Sequence, residues 1–281
     1  MAVPVDTRNV FTVDLEEWFH VCGVRGALAA ENWDRLPSRV EQTTRVLLDL
    51  LDANYVRATF FTVGWVADRY PRLIEAVLAA GHEIGSHGFQ HARAYDLGPE
   101  RFRADLRASL RALAAAGASR VTMFRAPEWS INERSLWALQ TLVEEGMTVD
   151  ASMAPVKLVG AVTFPRHPHQ RQTSAGPITE VPPLVVDRFR QAMPIGWGWG
   201  LRMSSPRRVV RAIEGANRAG VPAVLTVHPW ELDSDPPRVR LPARLQFAHY
   251  FRLGGFRERL HDVLRAVPFG CIGELAGASV P

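Results

Sequence analysis

Short β-prone apolar runs alternate with amphipathic helical stretches along most of this chain, and that alternation leaves few architectures open. Val40, Val46, Leu47, Leu50 and Leu51 recur at helical spacing and predict a helix over 39–53. RATFFTVG (57–64) then reads as a buried strand, followed by helix over 65–80, where Pro71 fits only near a helix start or at a kink. The same reading gives strand 82–87, helix 98–116, strand 122–127, helix 132–145 and strand 148–152. After a break, helix 205–219, strand 223–228 and a last helix over 253–266 complete the order. Repeated β-then-α units imply a parallel sheet or barrel in a single domain.

The stretch 154–200 breaks the pattern. It is rich in Pro, Gly, Trp and His, and only ITEVP (178–182) reads as strand. A loop-rich insertion of this length is more often a lid or mouth than a plain connector. Polar residues fall at chosen places in this frame: Asp14, His87, Arg125, Asp150 and His228 all lie at or near the C-terminal ends of predicted strands. In (β/α) barrels, ligands bind at that end.

Composition narrows the function classes. With 47% apolar and 22% charged residues the chain is globular. Its formal charge is +4, with Lys157 the one lysine and no basic stripe interleaved with aromatics, which argues against nucleic acid. Weak attraction to an anionic membrane surface is compatible with that charge. Cys22 and Cys271 are read as free core thiols. No run approaches the ~18 apolar residues of a membrane helix, and MAVPVDTRNVF lacks a leader pattern. The expected location is the cytoplasm, with at most peripheral association at the inner membrane face.

Three acids crowd the first strand in FTVDLEEWFH (11–20). Asp14 and Glu16, two apart, share one face, while Glu17 points to the other, where an arginine is its expected partner. Downstream, SHGFQH (86–91) sets His87 and His91 four apart, within reach of one metal on a helical turn. Two histidines and one carboxylate leave a divalent ion an open position, the arrangement of metallohydrolases rather than of structural zinc. Taken alone, Arg125 reads equally well as a salt-bridge partner, Asp150 as a strand-end cap and His228 as a loop histidine. His82, His249 and His261 read as structural or surface residues, and His167 and His169 as loop residues that could approach a ligand.

The order of motifs resembles the polysaccharide deacetylases of carbohydrate esterase family 4. DLE stands at the position of the family's N-terminal Asp pair. RATFFTVGWVADRYPRLIEAVLAAGHEIGSHGFQH (57–91) matches its longest stretch, FRAPEW (124–129) its Arg-x-Pro-aromatic motif, VDAS (149–152) its Asp motif and LTVHPWELD (225–233) its Leu-x-His motif. The resemblance spans roughly residues 10 to 275 and is nearest to the exopolysaccharide- and exosortase-associated branch.

That resemblance implies a distorted (β/α)7 barrel with core motifs over 10–233 and a C-terminal extension over 234–281. It implies hydrolysis of N-acetyl groups on an amino sugar of a poly- or oligosaccharide, with water on a divalent metal as nucleophile. Zinc is the first expectation and cobalt the second. Carried over by residue, Glu16, His87 and His91 would hold the metal, Asp14 would be the general base and His228 the general acid. Arg125 would orient Asp14, and Asp150 would support the site by bonding His228 or Arg125. Trp129 and Trp230 would wall the substrate groove, with Trp197, Trp199 and Arg202 as further substrate contacts. Glu16 replaces an Asp ligand, and GWGWGLRM (196–203) departs from the branch's glycine-rich run. Two other readings stay open: a cyclic-amide or formyl-amide hydrolase on the same barrel, and a catalytically idle glycan-binding protein.

Overall fold

The computed structural model describes residues 9–22, 24, 28–188 and 191–276. Residues 1–8, read above for a leader pattern, and 277–281 of the C-terminal extension lie outside them. The first strand, β1 (Asn9–Leu15), is buried along its whole length. It runs parallel to β2 (Thr59–Thr62) on one side and β10 (Val224–Val227) on the other. Burial on both faces suits its apolar run, since a parallel strand is covered on each side. From β2 the sheet continues through β3 (Glu83–Ser86), β4 (Met123–Phe124), β5 (Val149–Asp150) and β7 (Gly176–Glu180), all parallel. Strand β6 (His169–Thr173) adds an antiparallel edge to β7.

The result is the expected α/β fold, a single domain on a curled, distorted (β/α)7-type barrel. The gap between β7 and β10 is bridged by extended chain. Leu184 N–H donates to Val224 O at 3.0 Å, and Thr226 N–H donates to Gly196 O at 2.7 Å. The close approach requires glycine at 196, where a Cβ would lie 2.7 Å from both Leu184 Cβ and Val224 O. Thus part of GWGWG serves to seat this segment against β10.

Helices α1 (Val40–Asp52), α2 (Gly64–Arg69), α3 (Pro71–Ala79), α4 (Ala94–Ala115) and α5 (Trp137–Glu144) cover the first half of the sheet. Pro71 opens α3 at its first turn, where its missing N–H costs no helix bond. In the second half α6 (Gly198–Met203), α7 (Pro206–Arg218), α8 (Ala243–Tyr250) and α9 (Phe256–Ala266) follow the insertion. The chain then adds β11 (Phe269–Gly270) beside β1 and ends with α10 (Ile272–Ala276). The C-terminal extension is therefore built into the same sheet.

The insertion holds more strand than its sequence suggests. Besides the β6–β7 hairpin it forms a second one from β8 (Val186–Arg188) and β9 (Gln191–Met193). The sequence HQRQT is polar at every position and carries no apolar alternation to betray an edge strand. Cys22 and Cys271 are buried free thiols, as expected.

Glu17 turns away from Asp14 and Glu16, as strand alternation requires, but its partner is not a guanidinium. Its Oε1 accepts from the Arg39 and Val40 backbone N–H groups, at 3.1 and 3.2 Å, and from the Ser38 hydroxyl. A distant carboxylate thereby caps the start of α1, which has no capping side chain of its own. Burial pushes the Glu17 carboxyl up, and Ser38 and the amides oppose it. Glu17→Ala is expected to cost about 1–2 kcal/mol in urea denaturation, the usual size of a lost cap. An unchanged midpoint would refute the capping role.

Candidate active site

Six polar side chains converge where the strands end. Asp14 is the penultimate residue of β1 and Glu16 follows the strand; His87, Arg125 and His228 come directly after β3, β4 and β10. The structure brings Asp14, Glu16, His87, His91, Arg125 and His228 together, as the sequence reading requires.

His87 Nδ1 lies 2.8 Å from Arg125 O, and a carbonyl can only accept, so Nδ1 carries the proton and Nε2 offers a lone pair. That Nε2 sits 4.0 Å from both Asp14 Oδ2 and Glu16 Oε2. Burial lowers the His87 pKa to about 4, with His91 adding to the effect and Asp14 and Glu16 opposing it. His87 is therefore a neutral imidazole at pH 7. His91 Nε2 lies 2.6 Å from Glu16 Oε2, yet Glu16 Oε2 accepts no aligned hydrogen bond. Burial alone would raise Glu16, but His91, with His228 and His87, outweighs it and holds the carboxylate ionised.

The ligand atoms of Glu16, His87 and His91 lie within 4.8 Å of one another. A buried carboxylate oxygen without an aligned donor, beside a lone-pair imidazole nitrogen, fits a divalent cation. Outer contacts fix these donors. Trp230 Nε1 donates to Glu16 Oε1 at 3.0 Å, and Cys22 Sγ sits 3.5 Å from His91 Nδ1 while its thiol donates to His91 O at 3.1 Å. Such contacts orient metal ligands. His91, Glu128 and Trp129 all hold positive φ, at 49, 52 and 55°, so backbone strain gathers at this end of the barrel.

Arg125 is buried and donates from Nη1 to Asp14 Oδ1 at 2.7 Å and to Thr12 Oγ1 at 2.9 Å, while Nε donates to Ala151 O at 3.0 Å. Asp14 is thus held by one oxygen, and its other oxygen faces the site. On the opposite flank His228 Nε2 lies 3.8 Å from Asp14 Oδ2 and from Glu16 Oε1.

Several assignments are corrected. Asp150 bonds neither His228 nor Arg125. It accepts from the Ser152 hydroxyl, which in turn takes the Ala126 N–H at 2.7 Å, and Glu180 is its neighbour across β5 and β7. Burial and the adjacent Asp150 push the Glu180 carboxyl well up. The support is real but indirect.

Arg202 is no substrate contact. It is 2% exposed, and its Nε donates to Glu231 Oε1 at 2.8 Å while its other nitrogens hold the Ala248, His249 and Phe251 carbonyls. Trp230, expected in the groove wall, is buried between His228 and His249, with ring centroids 5.2 and 4.4 Å away. Trp129 is also buried, 5.1 Å from the half-buried Trp197 and with the Arg125 guanidinium 4.7 Å over its ring. Half-buried Trp199 has an unpartnered Nε1. His167 and His169 contact each other at the β6 edge. His82 and His261 are structural, bonding Ala58 N–H and Asn54.

The sequence reading missed Glu231. Its Oε2 lies 3.0 Å from His228 Nδ1 and accepts the His228 N–H at 3.0 Å. The signal was present in HPWE, whose i to i+3 spacing is that of a capping box. Burial would lower His228, but Glu231, then Glu16 and Asp14, outweigh it and raise its pKa to about 9. His228 is therefore an imidazolium at neutral pH. His20 was also missed; it is buried and stacked 5.7 Å from His91.

Residues 26–146 match the family model described as polysaccharide deacetylase, a span that includes His87, His91 and Arg125. The matches support a place in the polysaccharide deacetylase family. Residues 151–276 match a second model, a domain of unknown function (DUF3473), which takes in His228 and Glu231. Over 63 residues this chain is 40% identical to a peptidoglycan-N-acetylglucosamine deacetylase from Bacillus cereus. That overlap is 22% of this chain and 30% of the relative, so the chain spans under a third of the curated protein it matches.

Among solved structures, one from Mycobacterium smegmatis, provisionally assigned as a polysaccharide deacetylase, aligns with a TM-score of 0.62 at 22% identity, covering 98% of this chain and 93% of that one. A family 4 carbohydrate esterase from Streptomyces lividans aligns with a TM-score of 0.51 at 18% identity over 98% of both chains. These likenesses speak to the fold.

Proposed function

We propose that this chain is a divalent-metal-dependent hydrolase that removes N-acetyl groups from an amino sugar in an exopolysaccharide-related saccharide. The observation that carries the reading is one buried cluster holding three components. They are the Glu16–His87–His91 donor set, the Asp14–Arg125 pair and the His228–Glu231 pair. An unstrained amide resists hydrolysis, so the site must supply a nucleophile, charge stabilisation and an acid for the leaving amine.

A divalent ion held by Glu16, His87 and His91 would polarise the acyl group and make water acidic enough to attack at neutral pH. Asp14, fixed through Oδ1 by Arg125, accepts the proton of the attacking water at Oδ2. His228, charged at neutral pH, gives its Nε2 proton to the nitrogen as the C–N bond breaks, leaving acetate and a free amine. Base and acid contribute roughly 10²–10⁴-fold each. The half-buried Trp197 beside Trp129 offers an apolar face for a sugar ring.

Acetate release from N-acetylglucosamine oligomers, measured before and after chelation, tests the proposal. Activity is expected to vanish with the metal and to return with zinc or cobalt, alongside bound metal found by elemental analysis. Activity indifferent to chelation would overturn the metal reading. Ring opening of allantoin or cyclic imides, with none on the oligomers, would favour the cyclic-amide alternative. Glycan binding by a metal-free, inactive protein would favour the idle one.

A further inference from the structure

From Pro236 to Arg257 the chain holds five arginines and not one Asp or Glu. Arg238, Arg240, Arg244, Arg252 and Arg257 are all exposed, and none forms an ion pair among the described residues. Some arginines elsewhere, such as Arg93, Arg103, Arg107 and Arg166, pair with a carboxylate. Others, such as Arg207, Arg208 and Arg211 on α7, form no ion pair among the described residues but have no exposed apolar pair beside them in sequence. Within the basic segment lies α8, rooted by its C-terminal end and free at the other. His249 and Tyr250 are buried, with the Tyr250 hydroxyl donating to Pro237 O and accepting from Val239 N–H. Residues 242–247 are exposed without a break. They present Leu245 and Phe247, 36% and 47% exposed, and Phe247 stacks on Phe251 at 4.4 Å.

A helix end that shows apolar side chains to water, within a chain segment of five exposed arginines and no acid, fits one kind of surface. We propose that α8 and its flanking arginines dock on an anionic lipid bilayer. Guanidinium groups match phosphate headgroups bidentately, and Leu245 and Phe247 enter the boundary between headgroups and acyl chains. A polyanion such as a nucleic acid or acidic glycan would engage the arginines but would leave the apolar pair without a role. The docking surface also borders the site: Arg202 holds α8 carbonyls with one side and Glu231 with the other. The proposal stands independently of the deacetylation reading.

Co-sedimentation of the full chain with phosphatidylcholine vesicles, with and without phosphatidylglycerol, tests it. Binding is expected to require phosphatidylglycerol and to weaken with salt. A Leu245→Ser/Phe247→Ser variant and an Arg240→Glu/Arg244→Glu variant should each lose at least about tenfold in affinity. Both variants alter exposed residues, and unchanged thermal unfolding would show that each is folded. Equal binding to both vesicle types would overturn the proposal. So would loss in the arginine variant alone with dextran sulfate binding as tightly as lipid, an outcome that assigns the patch to a soluble polyanion.

Discussion

Asp14→Asn is expected to lower kcat for acetate release by about 10²–10⁴-fold while bound metal stays unchanged. The substitution preserves size, and the amide oxygen can still accept from Arg125 Nη1, which now lies 2.7 Å from Asp14 Oδ1. What it removes is basicity at Oδ2, the oxygen that faces His87 and His228 at 4.0 and 3.8 Å. KM should move little, because the loss falls on a step rather than on ground-state binding. Metal content separates the two acids of the DLE motif. If Asp14→Asn empties the site while Glu16→Gln keeps its metal, the ligand and the base have been exchanged. Should both variants keep the metal and full activity, neither acid performs the role given to it here.

That the two acids can be told apart at all follows from strand geometry. A period of two places Asp14 and Glu16 on one side and Glu17 on the other, and the sheet keeps that register because Asp14 pairs with Phe61 across β1 and β2. The same regularity made β1, β2, β10 and most helices readable, since each buries an apolar face, while the shorter β3, β4 and β5 were read from their place between helices. Donor positions were legible for a related reason: strand ends aim side chains at one place, so residues far apart in sequence meet there.

What the sequence concealed lies where periodicity has no hold. Strand β6 is polar throughout, and β8 and β9 are three residues each. The outer contacts were concealed for another reason. A tryptophan near a glycan site suggests sugar stacking, yet the partner of Trp230 Nε1 is Glu16, 214 residues away in the chain. An arginine in a loop suggests an anionic ligand, yet Arg202 spends its donors on Glu231 and three carbonyls of and after α8. Nor does sequence show that Gly198 is needed because a Cβ there would collide with the Glu231 carboxylate. In each case residue type suggested a chemistry, and only the tertiary neighbour decided whether the group met ligand or protein.

Glu231→Gln should lower activity by about 10- to 10²-fold and move the alkaline limb of kcat/KM to lower pH. The sign follows from the forces on His228. Burial favours the neutral ring, and Glu231 is the strongest of the charges that override it and raise the pKa to about 9. Coordination of Glu16 would withdraw part of that support, so the wild-type limb should fall at or below about 9. Removing the Glu231 charge leaves burial less opposed, and the acid form of His228 is lost at a lower pH. Gln can still accept from Arg202, so a purely structural role predicts lower stability with an unmoved limb. Stability should respond too. Burial would raise Glu231, but Arg202 and His228 outweigh it and hold its pKa below the usual 4.5. Its ionisation therefore stabilises the fold above about pH 4.5, and that contribution fades as pH falls through the depressed folded value. The stability difference between wild type and Glu231→Gln should accordingly be largest near neutrality and shrink in acid. A variant with full kcat and an unshifted alkaline limb would show that His228 works without the carboxylate beside it.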